Sequence, residues 1–116
     1  MRRFTHTKVA EVTVLDASRE VAAGEAVLVD VREPEEWAAG HAPGAIHQPL
    51  DSLHLAVLPT GVPVIAVCRS GGRSAKAAEA LMARGISVRN LTGGMQAWSA
   101  SGEPVVTDDG ALGTVL

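Results

Sequence analysis

Val62-Pro63-Val64-Ile65-Ala66-Val67-Cys68-Arg69-Ser70-Gly71-Gly72-Arg73-Ser74 is the stretch on which the fold turns. Its first half is an apolar run without polar alternation, the pattern of a strand buried on both faces. Pro63 stands near the start, where a strand tolerates it. Gly71 and Gly72 break the run. A helical period follows from Ser74 to Arg84, with Ala75, Ala78, Leu81 and Met82 as its expected buried face and Gly85 as its stop. Cys68, the one cysteine of the chain, closes the strand. Backbone N–H groups of the loop, the positive end of the next helix and two arginines surround it in sequence, and each favours thiolate over thiol. A lone cysteine can also be a small inert hydrophobe. That role gives no use to the paired glycines or to Arg69 and Arg73.

Working outward, the same alternation repeats. Residues 1–9 are polar and basic and are expected to be a flexible N-terminus. Glu11 to Val14 reads as a short strand, and Asp16 as the cap of a helix running to Ala23, with Gly24 as its stop. Ala26 to Val31 is apolar on both faces and reads as a second buried strand. Glu33 to Ala39 reads as a short helix with Pro34 in its first turn and acids at its positive end. His41 to Gly44 is a turn, and Ala45 to His47 a very short strand. Leu50 to Leu58 is open between one helical turn and two. Ser87 to Leu91 is a further strand, and Gly93-Gly94 leads into a helix from Met95 to Ala100. Residues 107–116 show no periodicity and form a tail, with Asp108-Asp109-Gly110 as a turn. Strands alternating with helices, two of the strands buried on both faces, predict an α/β domain over residues 10–106 with a mainly parallel sheet. In such sheets ligands bind beyond the carboxyl ends of the strands, where Cys68 and Asp30-Val31-Arg32 lie.

Composition narrows the function. With 116 residues and 47% hydrophobic content the chain suffices for one core. A net charge of −3 gives no basic footprint for nucleic acid. One cysteine excludes an internal disulfide and a multi-cysteine zinc site, and suits a reducing compartment. Arg2-Arg3-Phe4 is followed by no apolar stretch, so neither export nor a membrane anchor is expected and the cytoplasm is the expected location. His41, His47 and His54 are read as structural or solvent-exposed, with no metal and no cofactor expected. Trp37 and Trp98 are read as packing residues, and Glu35-Glu36 as a solvated helix face.

Three segments together carry a family resemblance. Asp30-Val31-Arg32-Glu33-Pro34-Glu35-Glu36-Trp37 with Gly40-His41-Ala42-Pro43-Gly44-Ala45 resembles the first signature of rhodanese-like domains. Cys68-Arg69-Ser70-Gly71-Gly72-Arg73-Ser74 resembles their active-site loop. Leu91-Thr92-Gly93-Gly94-Met95-Gln96-Ala97-Trp98 with Gly102-Glu103-Pro104-Val105 resembles their C-terminal signature. The resemblance implies a five-stranded sheet with helices on both faces, and a cysteine that carries sulfur as a persulfide. It makes Cys68 the catalytic residue and Arg69, Ser70, Gly71, Gly72, Arg73 and Ser74 its substrate-binding loop. The partners it implies are a thiosulfate-like donor and a thiol or cyanide acceptor, with a sulfur-relay protein as a further candidate.

Within that picture Arg69 is expected to face the anionic donor, and Arg73 to brace the loop against Asp30. Arg32 is expected to pair with Glu36 or Glu33. Two rivals stand beside the sulfurtransferase. One is a non-catalytic binding module, which the presence of Cys68 disfavours. The other is a cysteine phosphatase or arsenate reductase of the same fold. Those loops place one more residue between cysteine and arginine than the four between Cys68 and Arg73.

Overall fold

The computed structural model describes residues 9–116. The expected flexible N-terminus falls almost wholly outside them. Five strands form one parallel sheet: β1 (Ala10–Val12), β2 (Val27–Asp30), β3 (Ile46–His47), β4 (Val64–Val67) and β5 (Val88–Leu91), in the order β1-β5-β4-β2-β3. Helices α1 (Val14–Ala22), α2 (Pro34–Ala39), α3 (Gly72–Ala83) and α4 (Gly94–Ala100) connect and cover them, and Leu50–Leu55 is a 3-10 helix. The α/β class, the parallel sheet and its five strands agree with the sequence reading.

Strand β4 lies at the sheet's centre and is buried along its whole length. Its side chains alternate as a pleated strand requires. Ile65 and Val67 join the core beneath α1 and α4, with Ala17, Met95 and Trp98. Val64, Ala66 and Cys68 face the other core, with Ala77, Ala78 and Leu81 of α3 and Leu53 of the 3-10 helix. The period of two therefore carries Cys68 onto the α3 face. Each fully buried Ile or Leu of this double core contributes about 1.5–3 kcal/mol.

Local chemistry moves several boundaries. Thr13, not Asp16, caps α1: its hydroxyl accepts the Asp16 N–H at 3.2 Å, and Val14 is the first helical residue and not the end of a strand. A threonine oxygen one residue before the helix reaches the free N–H groups, whereas Asp16 already lies inside the first turn. The buried face of α3 runs through Ser74, Ala77, Ala78 and Leu81, so Ala75 and Met82 are only half-buried. A polar residue leads that stripe because its hydroxyl has a partner at the site.

The tail is folded onto the body. Val106 forms antiparallel bridges with His41 and with Leu112, and Val115 packs against the α1–α4 core. Among the described residues no helix is long and apolar enough to cross a membrane.

Candidate active site

Cys68 follows β4 at its carboxyl end, and the loop wraps the sulfur in donors. The Gly71 N–H donates to Sγ at 3.1 Å and the Ser74 hydroxyl at 3.3 Å. Gly71 caps α3 with φ 121°, a backbone conformation that favours glycine, and this turns its N–H inward. Ser74 sits in the first turn of α3 and is fully buried. Burial pushes the Cys68 thiol up, because the residue is only 1% exposed. The Ser74 hydroxyl and the N–H groups of Ser74, Gly71 and Ser70 pull it down, and they prevail: the thiol titrates below its ordinary value. The sulfur is thus enclosed by its own loop and the start of α3.

Behind the loop stands a group that the sequence did not reveal. Asn90 on β5 is buried, and its Nδ2 donates to the Gly71 carbonyl at 3.1 Å and to Glu11 Oε2 at 3.2 Å. Its Oδ1 lies 2.5 Å from Ser74 Oγ. Holding the Gly71 carbonyl fixes the peptide whose neighbouring N–H meets the sulfur. The Ser74 hydroxyl has one hydrogen and cannot serve Sγ and Asn90 at once. The only sequence signal was a polar residue in an otherwise buried strand.

The loop also rests on α4. Met95 N–H donates to the Cys68 carbonyl at 2.8 Å and Gln96 N–H to that of Arg69 at 3.0 Å. Gly94 permits this approach, since a Cβ there would lie 2.5 Å from both carbonyl oxygens. The Gly93-Gly94 pair is thus a seat for the active-site loop as well as a turn.

The arginine pairings differ from expectation. Asp30 does not meet Arg73. It is saturated by Arg32, whose Nε and Nη2 reach its carboxylate at 2.8–3.1 Å and whose own N–H donates at 3.0 Å. Residues two apart in extended chain share a face, which makes this the shortest available pairing. Both side chains are fully buried, and Arg32 Nη2 also donates to the Gly40 carbonyl at 2.7 Å. Arg32 therefore pairs with neither Glu36 nor Glu33, and the Asp30–Arg32 couple anchors the end of α2, not the sulfur loop. Arg73 instead makes a two-pronged bridge to Glu36, at 2.6 and 2.9 Å. Glu36 is no solvated helix residue. The Arg73 guanidinium, helped by the Glu33 N–H, holds its carboxyl down to about 2 against the effect of burial. Arg69 and Ser70 are exposed, and the Arg69 Nε donates to the Leu116 backbone oxygen at 2.7 Å.

His41 and His47 are engaged locally, while His54 is exposed. Trp37 stacks between His41, at 3.5 Å, and His47, at 4.8 Å. His41 Nδ1 lies 2.8 Å from the Trp37 carbonyl and His47 Nε2 2.8 Å from that of Arg32. A cleft of about 390 Å³ lined by Val21, Ala26, Trp98 and Pro104 lies at the amino-terminal start of β2, away from Cys68.

The fold is a parallel α/β domain whose cysteine sulfur, at the carboxyl end of the central strand, is cradled by N–H and O–H donors that favour negative charge on it. A model of the rhodanese-like domain matches residues 13–101. A protein of Allochromatium vinosum named a sulfurtransferase is 39% identical over 87 residues, 72% of this chain and 81% of that one. The crystal structure of a rhodanese-related protein from Thermoplasma volcanium superposes with a TM-score of 0.79 at 29% identity, covering 85% of this chain and 99% of that one. The thiosulfate sulfurtransferase of Pseudomonas aeruginosa superposes with a TM-score of 0.75 at 25% identity, over 93% of this chain but only 22% of its own. This chain belongs to the rhodanese-like domain family.

Proposed function

We propose that the protein is a sulfurtransferase that carries sulfane sulfur on Cys68. The observation that supports it best is the set of N–H and O–H donors gathered around Sγ. In the first half-reaction the Cys68 thiolate attacks the outer sulfur of thiosulfate or a similar anion. The donor's S–S bond breaks, sulfite leaves with the bonding pair, and Cys68 holds a persulfide anion. In the second, a nucleophile takes the terminal sulfur and the Cys68 thiolate departs with its electron pair. Cyanide, a small thiol or the thiol of a partner protein can serve. Both steps are covalent catalysis, and neither needs a general base once the thiol is ionised.

The names of the sulfurtransferase relatives support the same activity. Against a phosphatase stands the loop, with four residues between Cys68 and Arg73. Arg73 is moreover committed to Glu36 on both prongs. The test is mass spectrometry after incubation with thiosulfate, paired with a phosphate-ester assay. One added sulfur, removable by cyanide and absent in Cys68→Ser, is the expected result. A folded Cys68→Ser variant that still transfers sulfur, or robust ester hydrolysis by the parent, refutes the reading.

A further inference from the structure

The two arginines beside Cys68 are each tethered to another part of the chain. Arg73 is held by α2 through Glu36. Arg69 is held by a segment that the family match does not cover, since its Nε donates to a backbone oxygen 47 residues away, at Leu116. That segment is fastened along its length. Val106 and His41 exchange both backbone hydrogen bonds at 2.9 Å, Gly113 N–H donates to the Val105 carbonyl at 2.8 Å, and Thr114 N–H to that of Ala39 at 2.9 Å. The seam is close enough that a Cβ on Gly113 would lie 2.8 Å from the Gly40 Cα and 3.0 Å from the Ala39 oxygen. Among the described residues the Arg69 side chain makes no other hydrogen bond, so its two Nη groups have no partner in the described chain.

We infer that the C-terminal segment is part of the substrate site, a clasp that fixes the ε edge of Arg69 and leaves its two Nη groups as the fork for the anionic sulfur donor. The inference rests on the sulfurtransferase reading for its substrate, but the clasp itself rests on the Arg69–Leu116 contact. An exposed arginine is rotamer-rich, and ordering it on binding costs affinity. The clasp settles that ordering before the donor arrives. Arg69 thus acts on the ligand, while Leu116 acts through Arg69 as a positioning residue.

The experiment compares alkylation of Cys68 by iodoacetate and by iodoacetamide, whose ratio reads anion preference without any sulfur transfer. The proteins are the parent, Arg69→Ala, Gly113→Ala, and a chain shortened to end at Thr114, with circular dichroism confirming the fold. Gly113→Ala and the shortened chain should each lower the ratio by about three- to tenfold, the range set by ordering one such side chain. Adding Arg69→Ala to either should lower it no further than Arg69→Ala alone. The Michaelis constant for thiosulfate should rise in step, with little change in kcat. An unchanged or raised ratio in the two tail variants, an Arg69→Ala ratio equal to the parent's, or a native Cys68 that neither reagent labels overturns the clasp. A parent that keeps the predicted ratios but takes no sulfur from thiosulfate counts against the proposed reaction and not against the clasp.

Discussion

Cys68 is pulled two ways by its surroundings, and the balance can be tested one residue at a time. Its enclosure penalises charge, and four donors from three residues, Ser70, Gly71 and Ser74, reward it. Removing the Ser74 hydroxyl takes away the largest of the favourable contributions and leaves the burial. Ser74→Ala should therefore raise the pH midpoint of Cys68 alkylation by iodoacetamide, while the parent's midpoint stays below the free-cysteine value of about 8.5. A parent midpoint at or above that value would mean that the loop does not activate the sulfur. Asn90 contributes differently, by holding the Gly71 carbonyl. Its replacement by alanine should cost about 1–3 kcal/mol of stability, as expected when a buried partner is left unpaired.

At the scale of elements, the active-site loop is a joint between β4, α3 and α4. The α4 contribution depends on Gly94, which has φ 60° and sits against the Cys68 and Arg69 carbonyls. Gly94→Ala meets two obstacles. A left-handed backbone costs a non-glycine residue about 1–2 kcal/mol, and the new methyl overlaps both carbonyl oxygens. The loop must then move off the amino end of α4 and lose the Met95 and Gln96 donors. The expected outcome is a lower denaturation midpoint together with a large loss of sulfur transfer, read by chemical unfolding and by the thiosulfate adduct. Normal transfer in that variant would show that the loop does not need its seat on α4.

Across the whole molecule, ion pairs tie elements that the sheet alone leaves apart. The Arg73–Glu36 bridge joins α3 to α2 over 37 residues. Glu36 titrates at about 2 in the folded protein, and at about 4.3 when unfolded. A carboxylate whose folded pKa is depressed contributes stability above the unfolded value and loses it as pH falls through the folded one. The contribution is therefore complete at neutral pH and disappears between about pH 4 and pH 2. Arg73 is 36% exposed, so solvent screening reduces the bridge to about 1 kcal/mol. Arg73→Ala should lower the melting temperature by a few degrees at pH 7, about what that energy moves in a domain of this size. The difference from the parent should vanish by about pH 2. A difference that persists at that pH would place the role of Arg73 in packing, not in charge.

The alternation of strands and helices, the central buried strand, the glycine loop and the cysteine at their junction are all legible in the amino-acid order. These depend on local rules: period, apolar runs and turn residues act over a few positions, so the chain states them directly. Which charges meet depends on the folded arrangement. Asp30, Glu33 and Glu36 were all plausible partners for Arg32 and Arg73, because a long guanidinium side chain reaches any of them. The choice followed from Asp30 and Arg32 sharing one face of an extended segment, and from α2 laying Glu36 beside the start of α3. Asn90 and Glu11 came to the loop through the pairing of β5 with β4 and β1, which no short-range pattern encodes. The tail shows no periodicity because its backbone bonds go to Ala39, His41 and its own turn, not to a helix or a long strand. Its place beside Arg69 is a property of the folded chain, since contacts across such separations are stated by neither residue alone.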